Sequence, residues 1–234
     1  MTCDWLELTD RHGGELIERT PTAPGDLLLA DRNYLRPEGL YAVVDNGAHL
    51  LVRMRWKHME LFDSNGERFY ALERARQQKF GEVGEYHVRH YRRGGTEIHG
   101  RVLITRVPAK EAEKAKQRLL KQAKKKGKTV AQNILDACHF VMLFTTIPSD
   151  VIGAADVLQL YRYRWQIELA FKRLKSLLGL DCLRHKEPQA ARTWIVAKLL
   201  LALLLEAQRR QCDAFFPWGF DIRRVAQRQQ SVQC

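Results

Sequence analysis

The chain carries no Cys-x-x-Cys pair. Its five cysteines, Cys3, Cys138, Cys182, Cys212 and Cys234, are odd in number and widely scattered. That pattern excludes a paired-cysteine zinc or redox site and fits a reducing cytoplasm. Long apolar runs are missing as well. The most apolar stretch, Ile195 to Leu205, has Lys198 inside it and is far shorter than the roughly 20 residues of a membrane span, so it reads as a buried helix with no membrane role. Met1 to Glu18 is largely polar and acidic, unlike the basic and then apolar pattern of a secretory leader. There is no internal repeat, no low-complexity region, no Walker-type loop and no Gly-x-Ser-x-Gly elbow, which sets aside repeat architectures, P-loop nucleotide chemistry and serine hydrolysis.

Acidic residues are in deficit: 27 Asp and Glu against 39 Lys and Arg leave a formal charge of +12 and a pI near 9.7. Such a surface attracts polyanions, nucleic acid first and an anionic membrane second. With 234 residues, 45% hydrophobic and 28% charged, the chain can bury a real core and holds one or two domains.

The first part reads as strands joined by turns. The run 26-DLLLAD-31 is a short apolar strand covered on both faces. Segment 34-YLRPEGL-40 is a helical or turn connection, and 41-YAVVD-45 and 50-LLVRM-54 read as two further strands. From about His49 to Asp136 the pattern becomes polar and strand-like, with a hairpin over 85–107 turning on Gly94-Gly95. After Pro108 the segment 110-KEAEKAKQRLLKQAKKKGK-128 favours a cationic helix stopped by Gly127, whose charges either touch phosphates or form a solvated face. An apolar strand follows at 139-HFVMLFTTIP-148, then Ser149, Asp150 and Asp156 as helix-start residues, then one long helix ended by Gly179. Pro188 begins a last, largely buried helix to about Arg209, and the tail from 223 is polar.

The long helix holds the chemistry. At roughly 100° per residue, with Tyr161 at zero, Arg164, Glu168, Lys172, Lys175 and Trp165 fall within about 60° of it. Leu160, Ile167, Phe171, Leu174 and Leu178 form an apolar seam beside that stripe. Glu168 is four residues from both Arg164 and Lys172, so a surface ion pair explains it as readily as metal ligation. A second acid, Asp31, lies at the C-terminal end of a strand, the usual address of active-site residues in α/β sheets. Two such carboxylates could meet around Mg²⁺, as in two-metal phosphoryl transfer. His87-x2-His90 is no metal pair, because residues i and i+3 of a strand point to opposite faces.

The spacing Tyr161-x2-Arg164-x3-Glu168-x6-Lys175, within YRYRWQIELAFKRLKSLLGL, resembles the Y-R-E-K signature of DDE transposases of the bacterial insertion sequence 4 group. The stretch LLLADRNY with Asp31 is similar to that family's second-aspartate region, and the resemblance runs from about Leu6 to Glu206. It implies an α/β fold in which an RNase H-like catalytic core is interrupted by a β-rich insertion subdomain. The expected divisions are 1–48 and 139–210 for the core, 49–138 for the insertion and 211–234 for a polar tail. It further implies cut-and-paste transposition in the cytoplasm, on double-stranded DNA at transposon ends and target. A homodimer would act with Mg²⁺, or Mn²⁺ as substitute. Asp31 and Glu168 would be catalytic metal ligands, and Tyr161, Arg164, Lys175, Lys172 and Trp165 DNA contacts, Trp165 by stacking on a base unless it packs in the core. The family's first aspartate has no match, since Asp4, Asp10 and Asp26 all stand in the wrong context. The chain is therefore expected to be a C-terminal part whose first acid, first strand and N-terminal DNA-binding region lie upstream of Met1, weak or inactive alone. A DNA- or RNA-binding remnant without catalysis and an RNase H-like nuclease are the rival readings.

Overall fold

The computed structural model of the chain describes residues 16–57, 59–92, 97–180, 182–183 and 187–215. It divides into two compact units, one spanning Thr9–Gln166 and one that takes the chain from Ile167 onward.

The first unit is built on one mixed sheet. After a single 3-10 turn at Ile17–Arg19, strand β1 (Leu27–Ala30) leads into helix α1 (Pro37–Asp45) and strand β2 (His49–Arg53). Strands β1 and β2 pair in parallel, Leu27 beside His49 through Ala30 beside Val52. A parallel pair requires a crossover, and that requirement explains where the sequence reading fails: 41-YAVVD-45 is the second half of α1 and not a strand. Pro37 sits at the helix start, where its fixed φ costs nothing. Leu40 and Val43, three residues apart, are both buried on the sheet, so helical periodicity overrides the β preference of the two valines.

Helix α2 (Ala71–Arg76) precedes the hairpin of β3 (Val83–Tyr91) and β4 (Glu97–Arg106), and α3 (Ala109–Lys125) and α4 (Gln132–Ala137) separate it from β5 (Phe140–Thr145). The hairpin is antiparallel throughout, Val83 beside Thr105 to Tyr91 beside Glu97; its Gly94-Gly95 turn lies outside the described residues. Strand β5 pairs antiparallel with both β4 and β2, giving the order β1-β2-β5-β4-β3. Among the described strands β1 therefore stands at an edge. The stretch 49–138 supplies β2, β3 and β4 to this same sheet. Gly127, at φ +60°, follows the end of α3 as a stop should.

Alternation splits the sheet into two faces. Leu28, Leu50, Val52, Val102, Ile104, Met142 and Phe144 face α1 and α2. Leu27, Leu29, Leu51, Leu103, Val141 and Leu143 face helix α5 (Ala154–Arg162), which places Val157, Leu158, Leu160 and Tyr161 on them. Gly153 is the N-cap of α5, without a side-chain cap, so Ser149 and Asp150 do not start it and Asp156 lies inside its first turn.

The expected single helix is two. Helix α5 ends at Arg162, and α6 (Arg164–Leu178) follows, with the tight bonds Tyr163 N–H to Leu160 C=O and Gln166 N–H to Tyr163 C=O at the junction. Gly179, φ +60°, ends α6 by donating its N–H to the Lys175 carbonyl at 3.0 Å, an αL cap. Helix α7 (Pro188–Phe215) starts at Pro188 as expected but overturns the expectation that it is largely buried. It runs past Arg209, and Val196, Leu200, Leu201, Leu203, Leu204 and Leu205 are exposed along it. By length and composition its Pro188–Leu205 window, with mean hydropathy 1.3, reaches the range of a spanning helix.

Candidate functional site

Asp31 follows the last residue of β1, and Arg53 ends β2. Because Ala30 is level with Val52, the two side chains leave the C-terminal ends of the parallel pair at the same height. Odd-numbered residues of both strands face α5, so alternation sends Asp31 and Arg53 to the side on which α5 brings Tyr161.

The turn that follows Asp31 is tied down. Asp31 Oδ1 accepts the Arg32 N–H at 2.7 Å, and the Asp31 carbonyl accepts the Tyr34 N–H at 2.9 Å. Arg55, two residues beyond β2, donates to Asn33 Oδ1 at 2.8 Å, which clamps the turn to the neighbouring strand.

Tyr161 is half-buried, and its hydroxyl is shut away from solvent. Burial pushes its pKa up; the negative charge of Asp31 adds to the rise, while Arg164 and Arg53 oppose it. One hydroxyl therefore senses one carboxylate and two guanidinium groups. The Arg164 guanidinium also stands 5.5 Å from the Tyr161 ring centroid. Arg53 also acts on Cys138, which follows the last residue of α4. Burial raises its thiol pKa, and Lys116, Arg53 and Arg32 pull it down. A neutral hydroxyl donor, a carboxylate and several fixed cations are the equipment for holding an anionic phosphate beside an acid.

Arg53 and Arg32 were not among the residues singled out from the sequence. The signal for Arg53 was present in 50-LLVRM-54, where the arginine closes a strand as Asp31 closes its neighbour, but it becomes visible only once the two strands are known to be parallel and in register.

The other expected site residues divide between the units. Asp31, Tyr161, Arg164 and Trp165 belong to Thr9–Gln166, whereas Glu168, Lys172 and Lys175 belong to the unit that starts at Ile167. Glu168, Lys172 and Lys175 are exposed on α6. Trp165 and Phe171 are 60% and 57% exposed, so neither packs in a core, while Leu160, Leu174 and Leu178 of the expected apolar seam are half-buried.

Among the described residues no three His, Cys, Asp or Glu side chains gather as a metal site. Asp26 is exposed at the start of β1 and accepts the Ala23 N–H at 2.8 Å, while Asp4 and Asp10 lie outside the described residues. His87 and His90 point apart as alternation requires: His90 is buried, with Nδ1 2.8 Å from the Glu60 carbonyl and Nε2 2.9 Å from Tyr41 Oη, and His87 is exposed.

Residues 8–205 match the family model described as Transposase DDE domain. The chain belongs to the DDE transposase family. It is 37% identical over 212 residues to the putative transposase InsL for insertion sequence element IS186A of Escherichia coli strain K12, an alignment covering 88% of this chain and 57% of that protein. The transposase for insertion sequence element IS421 of Escherichia coli gives the same identity and coverage. A more distant relative, the transposase for insertion sequence element IS231F of Bacillus thuringiensis subsp. israelensis, is 22% identical over 196 residues, 77% of this chain and 41% of that protein. The family is the one that the Tyr161, Arg164, Glu168 and Lys175 spacing resembles. The chain spans little more than half the length of the Escherichia coli transposases it matches.

Proposed function

We propose that the chain carries part of an insertion-sequence transposase catalytic domain, acting in the cytoplasm on double-stranded DNA at transposon ends and target. The observation that carries this reading is the convergence of Asp31, Arg53 and Tyr161 at the C-terminal ends of two parallel strands, in a chain matched by the family over most of its length. The family reading also implies cut-and-paste chemistry by two-metal phosphoryl transfer, an RNase H-like core and a homodimer. In it, β1 and β5 fall in the two core stretches, 1–48 and 139–210, and the stretch 49–138 carries the insertion, from which β2, β4 and β3 join the same sheet.

In this proposal the residues divide the work by their chemistry. Tyr161, held neutral by burial, donates its hydroxyl to a phosphate oxygen, and Arg53 and Arg164 neutralise that phosphate's charge. Lys172 and Lys175 hold further phosphates and Trp165 stacks on a base, an assignment to which its exposure lends support. Asp31 and Glu168 are the carboxylates proposed as ligands of Mg²⁺, or of Mn²⁺ in its place. The fit to a pair of ions is incomplete, because no third acid stands beside Asp31 among the described residues, and no chemical step is derived through the metal here. Bound divalent ions would supply an activated attacking oxygen and a stabilised leaving oxygen. With no third acid beside Asp31 among the described residues, the proposal is that the chain alone binds DNA and cleaves it weakly, close to a DNA-binding remnant.

The test replaces Glu168 by Gln and measures Mn²⁺ binding by calorimetry together with melting temperature. A ligand role predicts weaker Mn²⁺ binding with melting unchanged, since an exposed ion-pair partner contributes little to stability. Unchanged Mn²⁺ affinity removes Glu168 from the metal site. Incubation with duplex DNA and Mn²⁺ completes the test, because efficient 3′ nicking would overturn the claim that the chain alone is weak.

A further inference from the structure

Helix α3 plays no part in the cluster around Asp31 beyond Lys116, yet it is the most polarised element of the fold. On a wheel of about 100° per residue centred on Ala112, its residues separate into two arcs. Ala112 is buried, and Ala115, Lys116, Leu119 and Ala123, all within about 60° of it, are half-buried. The opposite arc holds Lys110, Lys114, Arg118, Lys121, Lys124 and Lys125, all six exposed. No acid interrupts that arc. Glu111 and Glu113 lie at its two borders; Glu111 is bonded to Lys114 at 2.9 Å, and its carboxyl is held below the usual range by Lys114, with Arg118 and Lys110 adding to the effect. Among the described residues Lys114 is the one member of the arc in an ion pair.

A solvated helix face normally mixes signs, since alternating charges solubilise without self-repulsion. Six cations on one side raise the cost of the free helix and are relieved by a polyanion. The length also fits. Lys110 to Lys125 spans about 22 Å at 1.5 Å per residue, and a DNA strand places a phosphate every ~3.4 Å of helix axis, so the arc faces about six phosphate steps. Lysine on a flexible stem is a point-charge donor suited to phosphates and not to base edges.

We propose that the exposed arc of α3 is a sequence-independent docking surface for the backbone of duplex DNA, separate from the residues at Asp31 and Tyr161. It holds the duplex by charge and leaves sequence choice to other elements. This inference rests on the transposase reading above, which requires a DNA substrate but gives α3 no role.

The experiment follows binding of the full chain to a random-sequence duplex by fluorescence anisotropy from low to high salt. Lys121→Gln, Lys124→Gln and Lys125→Gln are made together, since all three side chains are exposed and leave the inward arc untouched. A second variant, Arg74→Gln with Lys79→Gln, removes charge from α2 and the turn after it. With about 0.9 lost from the log–log salt slope per phosphate contact, the triple variant is expected to reduce the slope by about 2 to 3 and to weaken binding at least tenfold. The α2 variant should change the slope by less than about 1. A triple variant that binds with the parent slope overturns the role of α3 while leaving the transposase reading intact. Equal losses in both variants also overturn it, because the effect is then one of net charge alone. If the parent chain binds no duplex, both the inference and the transposase reading fall. Uptake of the chain by phosphatidylserine vesicles through the same three lysines, as tight as its binding to duplex, would make α3 a lipid-surface helix and overturn the proposal.

Discussion

Removing Arg101 should unseat the segment that delivers Tyr161. Arg101 lies on β4 with its side chain only 2% exposed, a position that arginine rarely takes unless every donor is used. Here Nη1 meets Glu85 Oε1 at 2.6 Å, Nε donates to the Ile147 carbonyl at 2.8 Å, and Nη2 reaches the carbonyls of Pro148 at 3.3 Å and Ile152 at 2.9 Å. One side chain thus satisfies the turn between β5 and α5, the helix that carries Tyr161 in its last turn. Arg101→Met keeps most of the apolar stem and removes every donor, taking this partner from the Ile147 and Ile152 carbonyls and the Glu85 carboxylate, while the Pro148 carbonyl keeps the Val151 and Ile152 N–H groups. Removing one member of a buried ion pair costs about 3–5 kcal/mol, and an unsatisfied buried acceptor about 1–3. Glu85 is 28% exposed and can rehydrate, so the carbonyls dominate and the expected loss is about 3–5 kcal/mol in all. Glu85→Gln retains an acceptor at a partly wet position and should cost no more than about 1 kcal/mol. Urea unfolding measures both, as a lower midpoint at unchanged slope. A loss below about 1 kcal/mol for Arg101→Met, or equal losses for the two variants, would falsify the clamp.

Three further outcomes follow from the geometry. A methyl group at Gly100 would stand 2.6 Å from the Phe144 ring, which is fully buried, and 3.0 Å from the Thr145 carbonyl; Gly100→Ala should therefore destabilise by about 1–3 kcal/mol through overpacking, and a melting temperature within a degree or so of the parent would show that the ring can move aside. Tyr161 should ionise above the ordinary tyrosine range because burial and Asp31 disfavour its anion; the native state then holds this proton more tightly than the unfolded chain, so its share of stability is present below pH about 10 and is lost as pH rises through the raised pKa. An ultraviolet titration of tyrosinate should show a late component that disappears in Tyr161→Phe, and identical titration curves would contradict the burial argument. Arg53→Gln removes a cation beside both Tyr161 and Cys138, so it should raise both pKa values further; a Cys138 thiol that reacts with iodoacetamide no more slowly than in the parent chain would place Arg53 elsewhere.

Much of the sheet was legible in the residues because each strand there carries its own pattern. DLLLAD, LLVRM and HFVMLFT are short apolar runs with few alternatives, and the 85–107 hairpin alternates strongly enough to fix both its strands. Helix α3 and the stop at Gly179 are equally local, set by composition and by one glycine. What was not legible depends on partners far away in sequence. YAVVD has the composition of a strand, and only the demand for a crossover between two parallel strands makes it the end of a helix. The LLLALLL run of α7 reads as core by composition, but composition cannot say whether anything covers a helix, and along α7 those leucines are exposed. The break at Tyr163 also escaped notice, because the apolar spacing continues across it and the local bonds that tighten there leave no mark in the composition.

The candidate site shows the same division between local and distant information. Asp31 could be found from its place at the end of a strand, which sequence pattern supplies. Arg53 could not, because its significance depends on β1 and β2 being level, and register between parallel strands is set by the packing of α1 beneath them and α5 above. Once that register exists, period-two alternation leaves little choice: the residue after Ala30 and the residue after Val52 must emerge on the face where Leu29 and Leu51 already meet α5. Tyr161 then arrives from one turn beyond the Val157 contact, near enough to Asp31 and both arginines for its hydroxyl to respond to each. The acid and the cations are thus positioned by the same apolar contacts that stabilise the sheet. A substitution that shifts α5, such as one at buried Val157, should therefore disturb the DNA contacts proposed for Tyr161 without touching a charged residue.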